Sequence, residues 1–338
     1  MAEGFLLLLI GCSSPRYLHQ VSGQTMGTSY SIKLITNSNE INRDVITEGI
    51  DSILLEINQT MSTWDPQSEI SNLNLNKSTE PILVSSQLYE LFKSANSISI
   101  LTDGAFDITV YNLLDLWGFG PNPKKMMPTQ KDVNSVLLYT GFDKINLTHN
   151  RIQKSDSRTK MDLNAIAKGY AVDEVFYFLT SKHFKNIFVE IGGEVQCIGR
   201  NQKNKYWSIG IENPSNGKEQ NNYFAGIIYP ESGAVATSGN YRNFVTKNGE
   251  KLGHTIDPKT GYPIKTNVLS VTVLASQCMV ADAWATALMA MNYETGLKMV
   301  NNNLNIKAIW ILDNQDGTKC IALSDKVKIA DPMFEIIS

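Results

Sequence analysis

The sequence predicts an α+β fold built as a single domain, and three observations support this prediction. The chain has 338 residues, of which 42% are hydrophobic and 19% charged, as is usual for globular proteins. Helical and strand-like patterns follow one another without a regular strand–helix repeat, which argues against a doubly wound parallel sheet. No Pro-, Gly- or Ser-rich stretch is long enough for an interdomain linker. We therefore expect mixed sheets flanked by helices, although the length alone also allows two modest domains.

The amino terminus carries a short apolar run, residues 5–10, followed by Gly11 and Cys12. The run is far too short to span a membrane, which takes about 20 residues. It resembles a bacterial lipoprotein signal, in which the cysteine is lipidated. We therefore expect residues 1–19 to form a signal segment and tether, with Cys12 as the lipidation site, and residues 20–338 to form the domain. The absence of Lys or Arg before the run departs from such signals, so a frayed apolar terminus or an expression remnant is the alternative.

The elements of the domain are predicted from the spacing of apolar residues. Residues 28–35 alternate as in a half-buried strand, and residues 41–61 repeat apolar positions every three or four residues as in an amphipathic helix. By the same criteria, further helices are expected at 86–101, 129–138, 164–181, 279–291 and 294–302. Further strands are expected at 186–191, 195–199, 206–211, 223–229, 268–275, 308–312 and 319–323.

The numbers of charged residues, cysteines and histidines exclude several classes of function. The chain has 30 Lys+Arg and 33 Asp+Glu, a formal charge of −3, and no basic stripe. Nucleic acid is therefore not an expected partner. The four cysteines and four histidines are scattered, without the local spacings of a zinc or haem site or of a disulfide framework.

Residues 161–170 contain a carboxylate and a lysine around the start of a predicted helix. Asp162 lies where an N-cap belongs, Lys168 follows in the next turns, and Gly169 allows close backbone approach. The simpler interpretation is that Asp162 only caps the helix and that Lys168 is solvated.

Residues 281–288 form a predicted helix in which Asp282 is surrounded by apolar or small residues. A buried carboxylate is costly unless it is paired or bound to a cation. Thr286, four residues later, places a hydroxyl on the same side of the helix, and such hard oxygens suit Mg²⁺. Alternatively, Asp282 caps the helix and Thr286 bonds back to a carbonyl.

Weaker signals occur in four further segments. Residues 190–194 include Gly192-Gly193 at a strand end, which suits phosphate binding but is more often a turn. Residues 236–241 read as a hydroxyl-rich turn. His254 opens a turn-rich segment and is a candidate general base, although an isolated histidine is more often structural. The aromatic residues near 61–65 and 104–119 suit stacking on a heterocycle, but core packing explains most aromatic residues.

Six of these segments, taken in order, resemble the bacterial FAD:protein FMN transferases, the ApbE-type flavin transferases once named thiamine-biosynthesis lipoproteins. The resemblance extends over residues 26–323, and the lipoprotein-like start agrees with it. The matching segments are 26–30, 61–64 together with 68–70, 104–107, 162–169, 190–194 and 281–288.

This resemblance implies a tunnelling-fold type of α+β domain and a Mg²⁺-dependent reaction. FAD is split at its pyrophosphate, FMN passes to a Thr or Ser hydroxyl of an acceptor protein, and AMP is released. Carried over by motif, the metal ligands are the carbonyl of Ala165, the carboxylate of Asp282 and the hydroxyl of Thr286. The implied FAD contacts are Met26, Trp64, Ala105, Phe106, Asp107, Asp162, Lys168 and Ile256.

Two positions of the implied site leave questions open. His254 is the proposed catalytic base, with Asp257 and Asp107 as alternatives. Trp64 stands where tyrosine is common in the family, so it keeps a stacking face but lacks the phenol oxygen.

The resemblance also implies partners and a location. Members of the family flavinylate subunits of membrane redox complexes, so we expect such an acceptor and a lipid-anchored enzyme of the bacterial cell envelope that faces the periplasm. Two other functions share many of the same residues: a Mg²⁺-dependent FAD pyrophosphatase giving FMN and AMP, and a non-catalytic FAD-binding lipoprotein.

Overall fold

The computed structural model describes residues 15–124, 126–214, 223–240, 244–247, 250–303, 305–314 and 316–337. Cys12, the expected lipidation site, lies outside these residues. Within them, no helix combines the length and the apolar character needed to cross a membrane.

The chain folds as α+β, as predicted. The helices are α1 (Arg43–Met61), α2 (Glu69–Leu75), α3 (Ser86–Leu101), α4 (Tyr111–Trp117), α5 (Gln130–Leu137), α6 (Ala167–Ser181), α7 (Cys278–Met289) and α8 (Tyr293–Asn301). The first eight strands are β1 (Tyr17–Thr25), β2 (Thr28–Thr36), β3 (Ile82–Leu83), β4 (Ile145–Thr148), β5 (Arg151–Lys154), β6 (Ile187–Ile191), β7 (Glu194–Ile198) and β8 (Ile209–Glu212). The others are β9 (Phe224–Ile228), β10 (Ser232–Gly239), β11 (Phe244–Lys247), β12 (Glu250–Gly253), β13 (Val268–Ala275), β14 (Lys307–Asp313), β15 (Lys319–Leu323) and β16 (Glu335–Ile337).

A nine-stranded sheet organises the molecule. Its order is β1-β2-β6-β7-β10-β13-β14-β15-β16, and its neighbours are antiparallel except for the parallel pair β15 and β16. Smaller sheets form from β3-β5-β4, from β8-β9 and from β11-β12. The predominance of antiparallel pairs explains why the sequence shows no regular strand–helix alternation.

A two-residue turn, Met26-Gly27, fixes the register of the first hairpin. Both residues have positive φ, 50° and 72°, as a type I′ hairpin turn requires. Thr25 therefore pairs with Thr28, and the ladder continues to Tyr17 opposite Thr36. Because β1 begins at Tyr17, the domain boundary predicted after residue 19 falls inside a strand.

Both faces of the large sheet are buried, so successive residues of its strands enter different cores. Trp310 of β14 packs in the main core with α1, α3, α6 and α7, whereas its neighbours Ile309 and Ile311 pack in a second core beneath β8 and β9. The alternation follows from the two-residue period of a strand. Helices α6 and α7 pack side by side and contact β6, β7, β10 and β13.

A third, smaller core lies beside α4 and α5. Trp117 and Leu116 of α4 pack there with Val133 of α5 and with Leu252 and Ile256, from the segment that precedes β13. This core fixes the segment that carries His254 and Ile256.

Candidate active site

The amino-terminal ends of α6 and α7 meet at close range. A Cβ atom on Gly169, in the first turn of α6, would collide with the carbonyl oxygen of Cys278 and lie 2.7 Å from the Cα of Met279. Only glycine allows two backbones to approach so closely. The sequence-based expectation of close approach at Gly169 is confirmed. We call this contact between the two helix ends the helix junction, formed by residues 165–173 and 278–286.

Each helix caps the other at this junction. Asp282 of α7 accepts a hydrogen bond of 3.0 Å from the backbone N–H of Gly169. Asp173 of α6 accepts bonds of 2.7 and 2.9 Å from the backbone N–H groups of Cys278 and Met279. The first N–H groups of a helix have no partner within it, so both carboxylates satisfy groups that would otherwise be buried unpaired. Asp282 therefore does not cap its own helix, in contrast to the alternative raised from the sequence.

Lys168 is the cation of the junction. Burial lowers the pKa of its ammonium group, but the carboxylates of Asp282 and Glu194 oppose that effect and raise the pKa. Burial likewise raises the pKa of the Asp282 carboxyl, an effect that Lys168 partly offsets. Asp282 is only 4% exposed, so its interaction with Lys168 is poorly screened by water.

Glu194, at the start of β7, contacts the helix junction and was not singled out from the sequence as part of the site. Its Oε1 lies 2.5 Å from the Nζ of Lys168, and burial raises the pKa of its carboxyl to about 7. Its Oε2 is buried without a hydrogen-bond partner among the described residues. Gly192 and Gly193 form the turn between β6 and β7, and this turn brings Glu194 to the start of β7.

The three predicted metal ligands all belong to the junction. Asp282 and Thr286 lie one turn apart on α7, and Ala165 lies in the turn that leads into α6. The hydroxyl of Thr286 is 3.2 Å from that of Ser238 on β10. A buried carboxylate, a hydroxyl and a backbone carbonyl are all hard oxygen donors, so the residues present fit Mg²⁺.

Asp162 is buried but does not cap α6. Residues 163–166 form a turn, in which Asn164 donates its backbone N–H to Asp162 at 2.9 Å, so the helix begins only at Ala167. This Asx-type bond explains why the N-cap prediction was wrong. Asp162 also accepts from the hydroxyl of Thr63 at 3.1 Å, and burial raises the pKa of its carboxyl to about 6.

Hydrogen bonds link Asp162 to the segments that carry two of the predicted FAD contacts, Trp64 and the turn at 105–107. Thr63 adjoins Trp64, whose side chain is 60% exposed and offers a free indole face. The backbone N–H of Asp162 donates to the carbonyl of Ile108 at 2.7 Å, which attaches the segment containing Ala105, Phe106 and Asp107. Met26 lies at the turn between β1 and β2, two residues before Thr28, which borders Gly192.

Asp107 is fully engaged in holding its own turn. Its Oδ1 accepts from the backbone N–H and the hydroxyl of Thr109, each at 2.7 Å, and its Oδ2 accepts from the N–H of Phe142 at 2.9 Å. Burial raises the pKa of the Asp107 carboxyl. These contacts describe a structural residue, so the geometry disfavours Asp107 as the base.

Asp257 also stabilises a turn, whereas the ring of His254 packs against an aromatic side chain. Asp257 accepts from the backbone N–H of Lys259 and the hydroxyl of Thr260, both at 2.9 Å. The ring of His254 packs edge-on to Phe119, with 6.4 Å between the ring centroids.

Strand β10 connects the His254 segment to the junction. Thr255 donates its hydroxyl to Asn240, which directly follows β10, at 2.7 Å. Ser238, at the end of that strand, contacts Thr286. A hydroxyl-rich turn was expected at 236–241, but residues 236–239 belong to strand β10. Ile256 is buried in the third core and pairs with Pro263.

Comparison with known proteins gives a consistent result. The model of the ApbE family matches residues 26–310. The FAD:protein FMN transferase of Vibrio cholerae is 40% identical over 325 residues, 96% of either chain, and that of Haemophilus influenzae is 35% identical over 94% of either chain. The solved structure of the flavin transferase ApbE from Vibrio cholerae superposes with a TM-score of 0.84 at 38% identity, covering 92% of this chain and 98% of that one. With this coverage by both the family model and the relatives, the chain belongs to the ApbE family.

Proposed function

We propose that this protein is a Mg²⁺-dependent FAD:protein FMN transferase. It transfers FMN from FAD to a Thr or Ser hydroxyl of an acceptor protein and releases AMP. The observation that carries the proposal is the helix junction, where Lys168 and Asp282 interact at the amino-terminal ends of two helices and Thr286 lies one turn further along α7. The relatives described above, which bear this name, support the same reaction.

Asp282, Thr286 and the carbonyl of Ala165 are the residues that would hold Mg²⁺. Bound there, the ion would supply positive charge to offset that of the pyrophosphate and of the departing AMP. Asp282 is suited to this role because a buried carboxylate gains strongly from a nearby cation.

The chain itself supplies the remaining charge stabilisation and the positioning. The ammonium of Lys168 attracts the phosphate oxygens of FAD. Glu194 holds Lys168 in place through its 2.5 Å contact. Such positioning and electrostatic stabilisation supply most of the catalysis in phosphoryl transfer.

The residues around Asp162 are proposed to bind the rest of FAD. The exposed indole of Trp64 offers a stacking face for a planar ring. Asp162, Met26, Ile256 and the turn at 105–107 line the FAD site.

His254 is proposed as the base that accepts the proton of the attacking hydroxyl. Of the three candidates, Asp107 and Asp257 already stabilise turns with both carboxylate oxygens. A His254→Ala variant is expected to lose the pH dependence of transfer that comes from titration of an imidazole. Wild-type transfer rates across the pH range in this variant would exclude His254.

One experiment separates the transferase from its alternatives. The protein is incubated with FAD, Mg²⁺ and a purified acceptor domain, and the acceptor is examined for flavin fluorescence after denaturing electrophoresis. Covalent fluorescence on the acceptor supports transfer. Free FMN without labelled acceptor would indicate a pyrophosphatase, and unchanged FAD would indicate a binding protein.

We further propose that Cys12 anchors the enzyme by a lipid to the bacterial cell envelope, facing the periplasm. The acceptor is then a subunit of a membrane redox complex. Cell fractionation tests the anchor: a Cys12→Ser variant is expected in the soluble fraction. Continued membrane association of that variant would contradict the proposal.

A further inference from the structure

Five basic residues gather where the amino-terminal segment joins the domain. They are Arg16, just before β1, Lys185, between α6 and β6, and Arg200, Lys203 and Lys205, in the loop after β7. The last four are exposed, and Arg16 is half-buried. We call these five residues the basic face. Because they come from three separate parts of the chain, the sequence alone shows no basic stripe.

Asn186 holds the three segments of the basic face together. Its side-chain oxygen accepts from the guanidinium of Arg16 at 3.3 Å and from the backbone N–H of Arg200 at 2.8 Å. The guanidinium of Arg16 also donates to the carbonyl of Arg200 at 2.9 Å. Gly199 packs so closely on the neighbouring segment that a Cβ atom there would collide with the carbonyl of Lys185. The basic residues therefore belong to one continuous surface.

The loop that follows β7 holds its three basic residues in place. The side-chain oxygen of Asn201 accepts from the backbone N–H groups of Lys203 and Lys205 at 3.0 and 3.1 Å. The guanidinium of Arg200 stacks on the ring of Tyr206 at 4.5 Å from the centroid. The loop is therefore folded on itself, which keeps its positive charges together.

The basic face carries an excess of positive charge. The segments that form it contain neither Asp nor Glu over residues 13–20, 183–188 and 199–208. Two carboxylates lie on neighbouring segments: Glu231 is beside Ser232, the partner of Ile198 on β7, and Glu40 follows β2. They offset only part of the five positive charges. Although the whole chain has a formal charge of −3, this end of it attracts anionic surfaces.

The basic face and the helix junction lie at opposite ends of the same elements. Helix α6 carries Lys168 in its first turn and ends at Ser181, four residues before Lys185. At 1.5 Å per residue, Lys168 and Ser181 are about 20 Å apart along the helix. The hairpins β1–β2 and β6–β7 have their turns, Met26-Gly27 and Gly192-Gly193, at the junction end and their open ends at the basic face. A surface that binds the basic face is therefore about 20 Å or more from the junction.

The proposed lipid anchor leads to this same face. Cys12 lies four residues before Arg16 in the sequence, and four residues of chain span at most about 14 Å. The attraction between basic residues and anionic headgroups acts over about one Debye length, about 8 Å at physiological ionic strength. So short a connection would keep the basic face near the headgroups of the membrane that holds the lipid.

We propose that the basic face binds the anionic phospholipid headgroups of the membrane in which the enzyme is anchored, so that the helix junction points away from the bilayer. This inference rests on the proposed anchor at Cys12. The membrane is favoured over nucleic acid because the lipid-bearing segment enters the domain at this face. The enzyme then presents its site about 20 Å or more above the headgroups, where it reaches acceptor domains that project from the membrane.

The first test measures vesicle binding without the anchor. At about 50 mM salt, a Cys12→Ser variant should co-sediment with mixed phosphatidylcholine and phosphatidylglycerol vesicles about fivefold more than with phosphatidylcholine alone. The difference should disappear at about 500 mM salt, because salt screens surface charge. At physiological salt this attraction alone is weak, so the variant still fractionates as soluble. Equal sedimentation with both kinds of vesicle at low salt would overturn the proposal.

Charge reversal then locates the binding surface. In the same background, Lys203→Glu combined with Lys205→Glu should abolish the preference for anionic vesicles. The matched control, Lys77→Glu combined with Lys131→Glu, changes the net charge equally at two exposed positions outside the basic face and should keep the preference. Equal losses in both double variants would show that net charge, and not the basic face, governs binding. Binding of a labelled DNA duplex at physiological salt, without vesicle binding at low salt, would assign the face to nucleic acid instead.

Energy transfer to the membrane tests the orientation. The lipidated enzyme is placed in vesicles whose headgroups carry an acceptor dye, and a donor dye is attached to Lys203→Cys or to Gln67→Cys, an exposed position near Trp64. Transfer should be several times more efficient from position 203 than from position 67. Equal efficiencies at the two positions would contradict the orientation. Mass spectrometry of Cys12 decides the anchor separately, since the vesicle tests with Cys12→Ser show whether the face binds headgroups whatever the state of Cys12.

Discussion

Asp282 of α7 accepts the backbone N–H of Gly169 of α6 at 3.0 Å, so the proposed metal ligand also ties the two helices together. The bond uses Oδ2 and joins residues 113 positions apart in the chain. Asp282 therefore has a structural and a proposed catalytic role, and substitutions can separate them.

Asp282→Asn should separate the two roles. Its amide oxygen can still accept from Gly169, but the negative charge is lost. We expect near-wild-type thermal stability together with a loss of Mg²⁺-dependent turnover of about a hundredfold or more, equivalent to about 3 kcal/mol of transition-state stabilisation. Asp282→Ala should lose both activity and stability, because it leaves the Gly169 N–H unpaired, at about 1–3 kcal/mol. Full turnover in either variant, measured as AMP release, would contradict the metal assignment.

Asp173→Ala tests the other half of the reciprocal cap. It removes the acceptor for the N–H groups of Cys278 and Met279, and loss of such a cap costs about 1–2 kcal/mol of unfolding free energy. Because α7 also carries Asp282 and Thr286, the Mg²⁺ concentration for half-maximal turnover should rise severalfold.

Asn42→Ala provides the control for this cap. Asn42 caps α1 by accepting from Val45 at 3.3 Å. Its substitution should lower stability, as urea unfolding would show, without changing the Mg²⁺ requirement. If both variants changed that requirement equally, Asp173 would have no specific positioning role.

Gly169→Ala should force the two helices apart. The added Cβ meets backbone atoms of Cys278 and Met279, which cannot move aside as a side chain can. We expect a loss of about 2–3 kcal/mol of unfolding free energy, together with loss of turnover as the Asp282 contact lengthens.

Gly296→Ala on α8 is the matched control for Gly169→Ala. Its Cβ would lie 3.1 Å from a terminal methyl of Leu288, which can shift, and alanine favours the helix by about 1 kcal/mol. The stability of this variant should be close to that of the wild type in thermal unfolding. A similar destabilisation of both variants would show that the tight contact at Gly169 is not decisive.

Local sequence patterns predicted the long elements well because those patterns repeat. Helix α3 and strands β13 and β15 have the predicted bounds. The seven-residue helices α2 and α4 were not predicted, since two turns give too few apolar positions to show a period. The end of strand β10 was predicted to be part of a turn at 236–241, because its Thr, Ser and Gly residues favour turns unless neighbouring strands pair with them.

The individual residues of the site could be proposed from motifs, but their pairings could not. The contacts of Lys168 with Glu194, Ser238 with Thr286 and Asp173 with Cys278 join positions 26, 48 and 105 residues apart. No local pattern encodes such distances, because the sheet order and the packing of α6 on α7 create them. The residue of the 190–194 segment that contacts Lys168 is Glu194, which directly follows Gly192-Gly193.

Lys168 and Glu194 should show strong energetic coupling. Lys168→Met leaves Glu194, with its side chain only 4% exposed, as a buried carboxylate without its partner, which costs about 3–5 kcal/mol when the charge persists. Glu194→Gln retains an acceptor for Lys168 and should cost less. In the double variant neither charge remains, so it should be more stable than Lys168→Met alone, as chemical denaturation would measure. Additive losses in this double-mutant cycle would mean that the two side chains do not interact.

Asp162 should make the FAD-free protein less stable as pH rises from about 4 to about 6. Burial raises the pKa of its carboxyl to about 6 from the ordinary 3.8, so the folded state binds more protons than the unfolded state within that window. Unfolding free energy therefore falls as pH rises through the window, by about 3 kcal/mol for a shift of two units, and this contribution is constant above it. Urea unfolding at several pH values should show this slope reduced in Asp162→Asn, in which the group cannot ionise, whereas the exposed Asp44→Asn control should keep it. Parallel pH profiles for the wild type and Asp162→Asn would mean that Asp162 ionises alike in the folded and unfolded states, and its burial would then carry no electrostatic cost.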